Sequence, residues 1–214
     1  MQLTGKKVNF LGDSITQGHG TSASEHIYLN VLEKRCGFAC VRNYGIGGTR
    51  IAPVTDRQKC PDFGPSFVER YQQMDDDADL IVVFGGTNDF GHGDAPMGDP
   101  ADRDIHTFYG ALNLLMEGLI EKYPQADIVF MTPLQRSECE QPGQFSGYRL
   151  VEYADAIMKT GRRFAIPVLD LYGTSGICAR LEPVCKLFMP DGLHPNDAGH
   201  LKIASRLQGF LECL

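Results

Sequence analysis

Gly12-Asp13-Ser14 stands near the amino terminus, where a short apolar run breaks off at an acid and a hydroxyl on a turn. By itself the tripeptide fits a strand-to-helix turn, because Asp and Ser are both good N-cap residues. Near the other end of the chain, Asp191-Gly192-Leu193-His194-Pro195 places an acid three positions before a histidine. In a loop such a pair sits side by side, the carboxylate holding one ring nitrogen while the other is free to take a serine proton. That chemistry is acyl transfer, and it also needs N–H donors aimed at the oxyanion that develops during attack. Three candidates are available: the backbone N–H of Ser14, the N–H of a glycine in Gly47-Gly48, and the side-chain amide of Asn88. Glycine suits close approach because it has no Cβ, and Asn88 donates without adding charge. Taken singly, each feature has an ordinary explanation: a strand-ending turn for the glycines, an Asx turn for Asn88, a helix start for His194.

For these groups to act together, one scaffold must bring them to the same edge. Apolar runs at 7–11, 39–44, 79–84, 127–131 and 166–171 predict five strands, the third apolar enough to be buried on both faces. Helical spacing predicts helices over 25–36, 105–123, 148–164 and about 196–214. The β-α alternation predicts an α/β protein, a three-layer α/β/α sandwich around a mostly parallel five-stranded sheet. With no repeat, linker or low-complexity tract, residues 1–214 read as a single domain. In such sheets ligands bind off the carboxyl ends of the strands. Gly12-Asp13-Ser14, Gly45-Ile46-Gly47-Gly48-Thr49 and Gly85-Gly86-Thr87-Asn88-Asp89 follow the first, second and third strands, so all three fall at that edge.

In this order the residues resemble the SGNH hydrolase superfamily, the GDSL-like lipases, esterases and acylhydrolases. Its four blocks correspond to Gly12-Asp13-Ser14, Asn43-Tyr44-Gly45-Ile46-Gly47-Gly48-Thr49, Gly85-Gly86-Thr87-Asn88-Asp89 and Asp191-Gly192-Leu193-His194-Pro195, covering most of the chain. The resemblance implies a flavodoxin-like fold with Ser14 as nucleophile, His194 as base and Asp191 as the orienting acid. It further implies an oxyanion hole of Ser14, Gly48 and Asn88, with Gly47 as the alternative to Gly48. The first block departs from the family in one place, having Ile15 where the family has leucine.

Bulk properties narrow the partners. The formal net charge is -7 and no Lys/Arg run occurs, which disfavours nucleic acid and anionic membrane surfaces. No stretch has the character of a signal peptide or a membrane span, so a cytoplasmic location and no membrane insertion are expected. The seven cysteines are odd in number and never spaced Cys-x-x-Cys, as expected for reduced thiols and not for a disulfide framework or zinc site. No cofactor and no metal are expected; the partner is a small-molecule ester, and the sequence leaves the oligomeric state open.

Three other readings compete. A metallophosphoesterase using Asp13, Asn88, His92 and His194 would end its first strand in Asp-x-His, where this chain has Asp13-Ser14-Ile15. An α/β-hydrolase needs Gly-x-Ser-x-Gly, and Thr16 occupies the fifth position. A ligand-binding module on the same fold has no need of Ser, Asp and His in these places. Loops 50–67, 90–104 and 132–147 leave the presumed active edge and are polar, which favours a small acyl group such as acetyl on a polar alcohol or carbohydrate. Asp13, Gly47, Arg50 and His92 are candidates for substrate contacts. His19 reads as a solvent-facing turn residue and His200 as a surface residue of the last helix.

Overall fold

Side chains of a strand point alternately to the two faces of its sheet, and in the central strands of this chain both sets are apolar. The computed structural model describes residues 1–214. In chain order its elements are β1 (Lys7–Gly12), α1 (Ser14–Gln17), α2 (Tyr28–Cys36), β2 (Cys40–Gly45), α3 (Phe67–Arg70), β3 (Leu80–Phe84), α4 (Thr87–His92) and α5 (Phe108–Lys122). These are followed by β4 (Asp127–Met131), α6 (Leu150–Arg163), β5 (Val168–Leu169), α7 (Leu171–Thr174), α8 (Glu182–Phe188) and α9 (Asp197–Glu212).

The five strands form one sheet in the order β2-β1-β3-β4-β5, and every pairing is parallel. On one face Val8, Phe10, Val82, Phe84, Val129 and Met131 pack against Leu29 and Leu32 of α2 and Ile203, Leu207 and Leu211 of α9. On the other, Leu11, Ile81, Val83 and Phe130 meet Leu112, Leu115 and Leu119 of α5 and Tyr153 and Ile157 of α6. The result is the three-layer α/β/α sandwich that the alternation predicts. The strand order is the flavodoxin-like one, and the point at which the order of strands reverses lies between β1 and β3.

Two departures have local causes. The fifth strand, expected over 166–171, is reduced to Val168–Leu169. Pro167 offers no N–H at its start, and the Asp170 side chain accepts from Gly173 N–H and so begins α7. The four-residue helices α1, α3 and α7, the six-residue α4 and the seven-residue α8 are too short to show a 3.6-residue period. His200 is a further correction: it lies on α9 as expected, but it is 0% exposed, not on the surface. Its Nδ1 accepts from Tyr28 N–H at 3.2 Å and its Nε2 faces the His19 carbonyl at 3.4 Å. Burial pushes its pKa down to about 4, so the ring is held neutral. No helix is long and apolar enough to cross a membrane.

Candidate active site

The polypeptide reverses sharply after β1. Asp13 caps α1 by accepting the Ile15 N–H at 2.9 Å, which leaves Ser14 as the first helical residue at the carboxyl edge of the sheet. The segment that follows α1 lies directly on the loop before α9. Gly20, at φ +91°, allows this contact, since a Cβ there would meet the Pro195 carbonyl at 2.2 Å. Ser22 then fixes the juxtaposition by donating its N–H and hydroxyl to the Asp197 carboxylate at 2.8 and 2.6 Å.

This docking brings together two side chains that are 180 positions apart: Ser14 Oγ lies 3.0 Å from His194 Nε2. On the far side of the ring, His194 Nδ1 is 2.7 Å from Asp191 Oδ2. Asp191 Oδ1 accepts the backbone N–H groups of His194 and Leu193 at 2.7 and 2.9 Å. Burial acts to raise the Asp191 pKa, but these N–H groups and the ring outweigh it and hold the carboxyl below its ordinary range. An ionised carboxylate only accepts, so Nδ1 carries the ring proton and Nε2 is the acceptor that faces the serine hydroxyl.

Donors converge from the neighbouring strand ends. Gly47 N–H is bound to Gln17 Oε1 at 2.8 Å, whereas Gly48 N–H has no protein acceptor. Ser14 N–H, at the start of α1, is also unpaired. Asn88 Nδ2 donates one hydrogen to the Thr49 carbonyl at 2.9 Å, which turns the amide towards the cleft and leaves the second hydrogen available. Of the two glycines left as alternatives, Gly48 is therefore the one with a free donor. It has φ +76°, and a Cβ would strike the Phe63 ring at 2.4 Å.

These groups line one cleft of about 390 Å³, with His19, Gly47, Phe63, Gly91, His92 and Arg136 completing its wall. Gly47 and His92 thus lie where substrate contacts are expected. Asp13 and Arg50 do not, and both expectations are corrected. Asp13 is 2% exposed and engaged with its own helix, and burial drives its pKa up to about 7. Arg50 is 4% exposed and turns its guanidinium to the Pro61 carbonyl and to His92 Nδ1, at 3.0 and 2.9 Å. Burial, reinforced by the Arg50 charge, pushes the His92 pKa down to about 4. His19 is exposed as expected, but it also borders the cleft, with its ring centroid 5.4 Å from that of His194. Phe63, Gly91 and Arg136 carry no individual signal in the sequence; only their membership of the long loops 50–67, 90–104 and 132–147 points to this edge.

Buried charges outside the cleft hold its walls. The Asp89 carboxylate accepts the N–H groups of Ile51 and Ala52, both at 3.0 Å, and so ties the loop after β2 to α4. Arg70 donates to the carbonyls of Tyr44 and Gly12, at 2.6 and 2.7 Å, and to Thr49 Oγ1 at 3.2 Å, joining the ends of β1 and β2. Asp13, His92 and His194 do not converge as metal ligands: no group of three or more His, Cys, Asp or Glu side chains has that arrangement.

Comparison with known proteins identifies the family and the fold. The sequence matches the GDSL-like Lipase/Acylhydrolase family over residues 10–202. A crystal structure of a Lactobacillus plantarum protein superposes with a TM-score of 0.85 at 35% identity, covering 98% of each chain. The lipase/acylhydrolase from Enterococcus faecalis has a TM-score of 0.64 at 19% identity, over 94% of this chain and 93% of that one. An acetyl xylan esterase, AlAXEase, has a TM-score of 0.63 at 20% identity, over 95% and 98%, and shares the fold. No curated protein matches the sequence. With the family pattern spanning most of its length and its four blocks gathered at one sheet edge, this chain belongs to the GDSL-like lipase/acylhydrolase family of SGNH hydrolases.

Proposed function

We propose that the protein is a serine esterase that removes a small acyl group, such as acetyl, from a polar alcohol or carbohydrate. The observation that carries the reading is the Asp191–His194–Ser14 chain of contacts, 2.7 and 3.0 Å long, opening on a cleft with free N–H donors. In the proposed reaction Ser14 Oγ attacks the ester carbonyl carbon while its proton passes to His194 Nε2. The carbonyl oxygen becomes an oxyanion, received by the N–H groups of Ser14 and Gly48 and the amide of Asn88. As the C–O bond to the alcohol breaks, the proton on Nε2 goes to the departing oxygen and the acyl group stays on Ser14. Water then attacks the acyl-enzyme with His194 as base, releasing the carboxylic acid and restoring the hydroxyl. Asp191 holds the ring in the required tautomer and stabilises its transient positive charge.

The lining of the cleft supports a small acyl group. Phe63 and Leu193 are its hydrophobic side chains, while imidazoles, a guanidinium, an amide and glycines supply the rest. Kinship of fold with an acetyl xylan esterase points to the same substrate class. Hydrolysis of 4-nitrophenyl acetate, butyrate and octanoate by wild type and Ser14→Ala tests the reading. Acetate is expected to be the best substrate and Ser14→Ala to be inactive; faster octanoate cleavage, or full activity without the hydroxyl, would overturn it.

A further inference from the structure

One charged side chain of the cleft has no charged partner. Arg136 stands in the loop after β4, and its guanidinium borders the same 390 Å³ space as Ser14, Asn88 and His194. It rests on α4, the helix that presents Asn88, with Cζ 5.2 Å from the centroid of the Phe90 ring. Gly91 makes room for it, since a Cβ at that position would come within 2.7 Å of Nη1. Its sole side-chain hydrogen bond is a long one, from Nη1 to the Thr87 carbonyl at 3.4 Å. Nε is buried without an acceptor.

Arg136 takes part in none of the molecule's ion pairs. Glu138 and Asp191 act on it through space without contact, and Asp191 is already committed to His194. Arg50 and Arg70 differ from it, because they aim their donors at backbone carbonyls and do not border the cleft. Withdrawing a guanidinium from water without an anion is unfavourable. A bound carboxylate reverses that cost, since the planar fork of donors matches its two oxygens.

We propose that Arg136 receives a carboxylate carried by the ester substrate, so that the enzyme selects esters of acidic compounds over their neutral counterparts. The proposal rests on the esterase reading above and narrows its substrate class. The carboxylate belongs either to the acyl part, as in a half-ester of a dicarboxylic acid, or to the alcohol part, as in an acylated hydroxy acid or sugar acid. In both cases it sits beside α4, close to the Asn88 amide.

Two substrate pairs separate these sources: methyl hydrogen succinate against methyl succinamate, and O-acetyl-lactate against O-acetyl-lactamide. For each, kcat/KM is measured from released acid in wild type, Arg136→Gln and Arg136→Lys. In one pair wild type is expected to favour the charged member by roughly 10- to 100-fold, the scale of a charge-assisted hydrogen-bonded contact. Arg136→Gln should lose that ratio and Arg136→Lys should keep part of it, because an ammonium retains the charge but not the fork. The pair that responds identifies the side that bears the carboxylate.

Equal or better cleavage of the neutral member by wild type in both pairs would overturn the proposal, whether or not Arg136→Gln folds. So would an Arg136→Gln variant that loses both members of the pair equally, which would make the arginine a support for α4. Parallel assays with 4-nitrophenyl acetate distinguish the two levels. Cleavage of it without any charge preference defeats the Arg136 site alone, whereas no hydrolysis of any of these esters defeats the esterase reading and this proposal with it.

Discussion

Among single residues, the division of labour between two acids decides what each can do. Asp191 is partly exposed and hydrogen-bonded, and its carboxyl is held ionised; Asp13, one position before the serine, is buried and its pKa is pushed up to about 7. Replacing Asp191 by Asn should lower kcat by roughly 10²- to 10⁴-fold with a much smaller change in KM, because in the proposed mechanism the acid acts on ring tautomer and charge during reaction. A KM effect of equal size would instead place Asp191 in substrate binding. Asp13 makes a different prediction. Its folded pKa lies above the carboxylate value of an unfolded chain, so the native state keeps a proton that the unfolded state releases, and stability falls as pH rises through that window. Asp13→Asn removes this dependence, and the amide oxygen can still accept the Ile15 N–H. Urea titrations at about pH 5 and about pH 8 should therefore show the variant gaining on wild type at the higher pH, by on the order of 1–4 kcal/mol. An equal difference at both pH values would mean that Asp13 is charged in the fold.

Elements matter here through their ends more than their middles. The strands and the four long helices were legible from their periods, and so was the edge at which the polar blocks gather. The shortest helices were not, because one or two turns show no period, yet α1 and α4 carry Ser14 and Asn88. What sequence could not convey is the set of ties between these short pieces, since each joins residues remote in the chain. The Asp89 carboxylate is the clearest case, anchoring Ile51 and Ala52 of the loop after β2 to α4, with burial pushing its pKa up to about 6. Asp89→Ala leaves two buried N–H groups unpaired and should cost roughly 2–5 kcal/mol of stability. Because that loop also carries Gly48, kcat should fall in the folded variant. Thermal unfolding and initial rates check both, and a variant with wild-type kcat would show that the oxyanion donors hold their places without this tie.

Across the whole molecule, the two faces of the sheet serve different purposes. In this layer α2, which follows the Ser14 turn, packs on α9, which follows the Asp191–Pro195 loop, so packing far from the cleft helps bring Ser14 and His194 together. His200 is buried where a surface position is expected for that reason: position on a terminal helix says little, while its contact with Tyr28 depends on α2 and α9 meeting. Arg50 likewise turns away from the cleft, because a polar residue near the active edge can as readily brace a loop as face the substrate. Leu207→Ala, in the layer between α9 and the sheet, should cost about 2–5 kcal/mol of stability while leaving kcat near wild type well below the unfolding transition. A large loss of kcat at full folding would show that the spacing of the catalytic pair tolerates less slack than the backbone contacts at Gly20 and Ser22 imply. The central claim, that Ser14 is the nucleophile, is tested most directly by covalent trapping. After treatment with a fluorophosphonate, mass spectrometry should locate one adduct on Ser14, absent from Ser14→Ala and greatly slowed in His194→Ala; an adduct on another residue, or continued ester turnover with Ser14 unmodified, would contradict it.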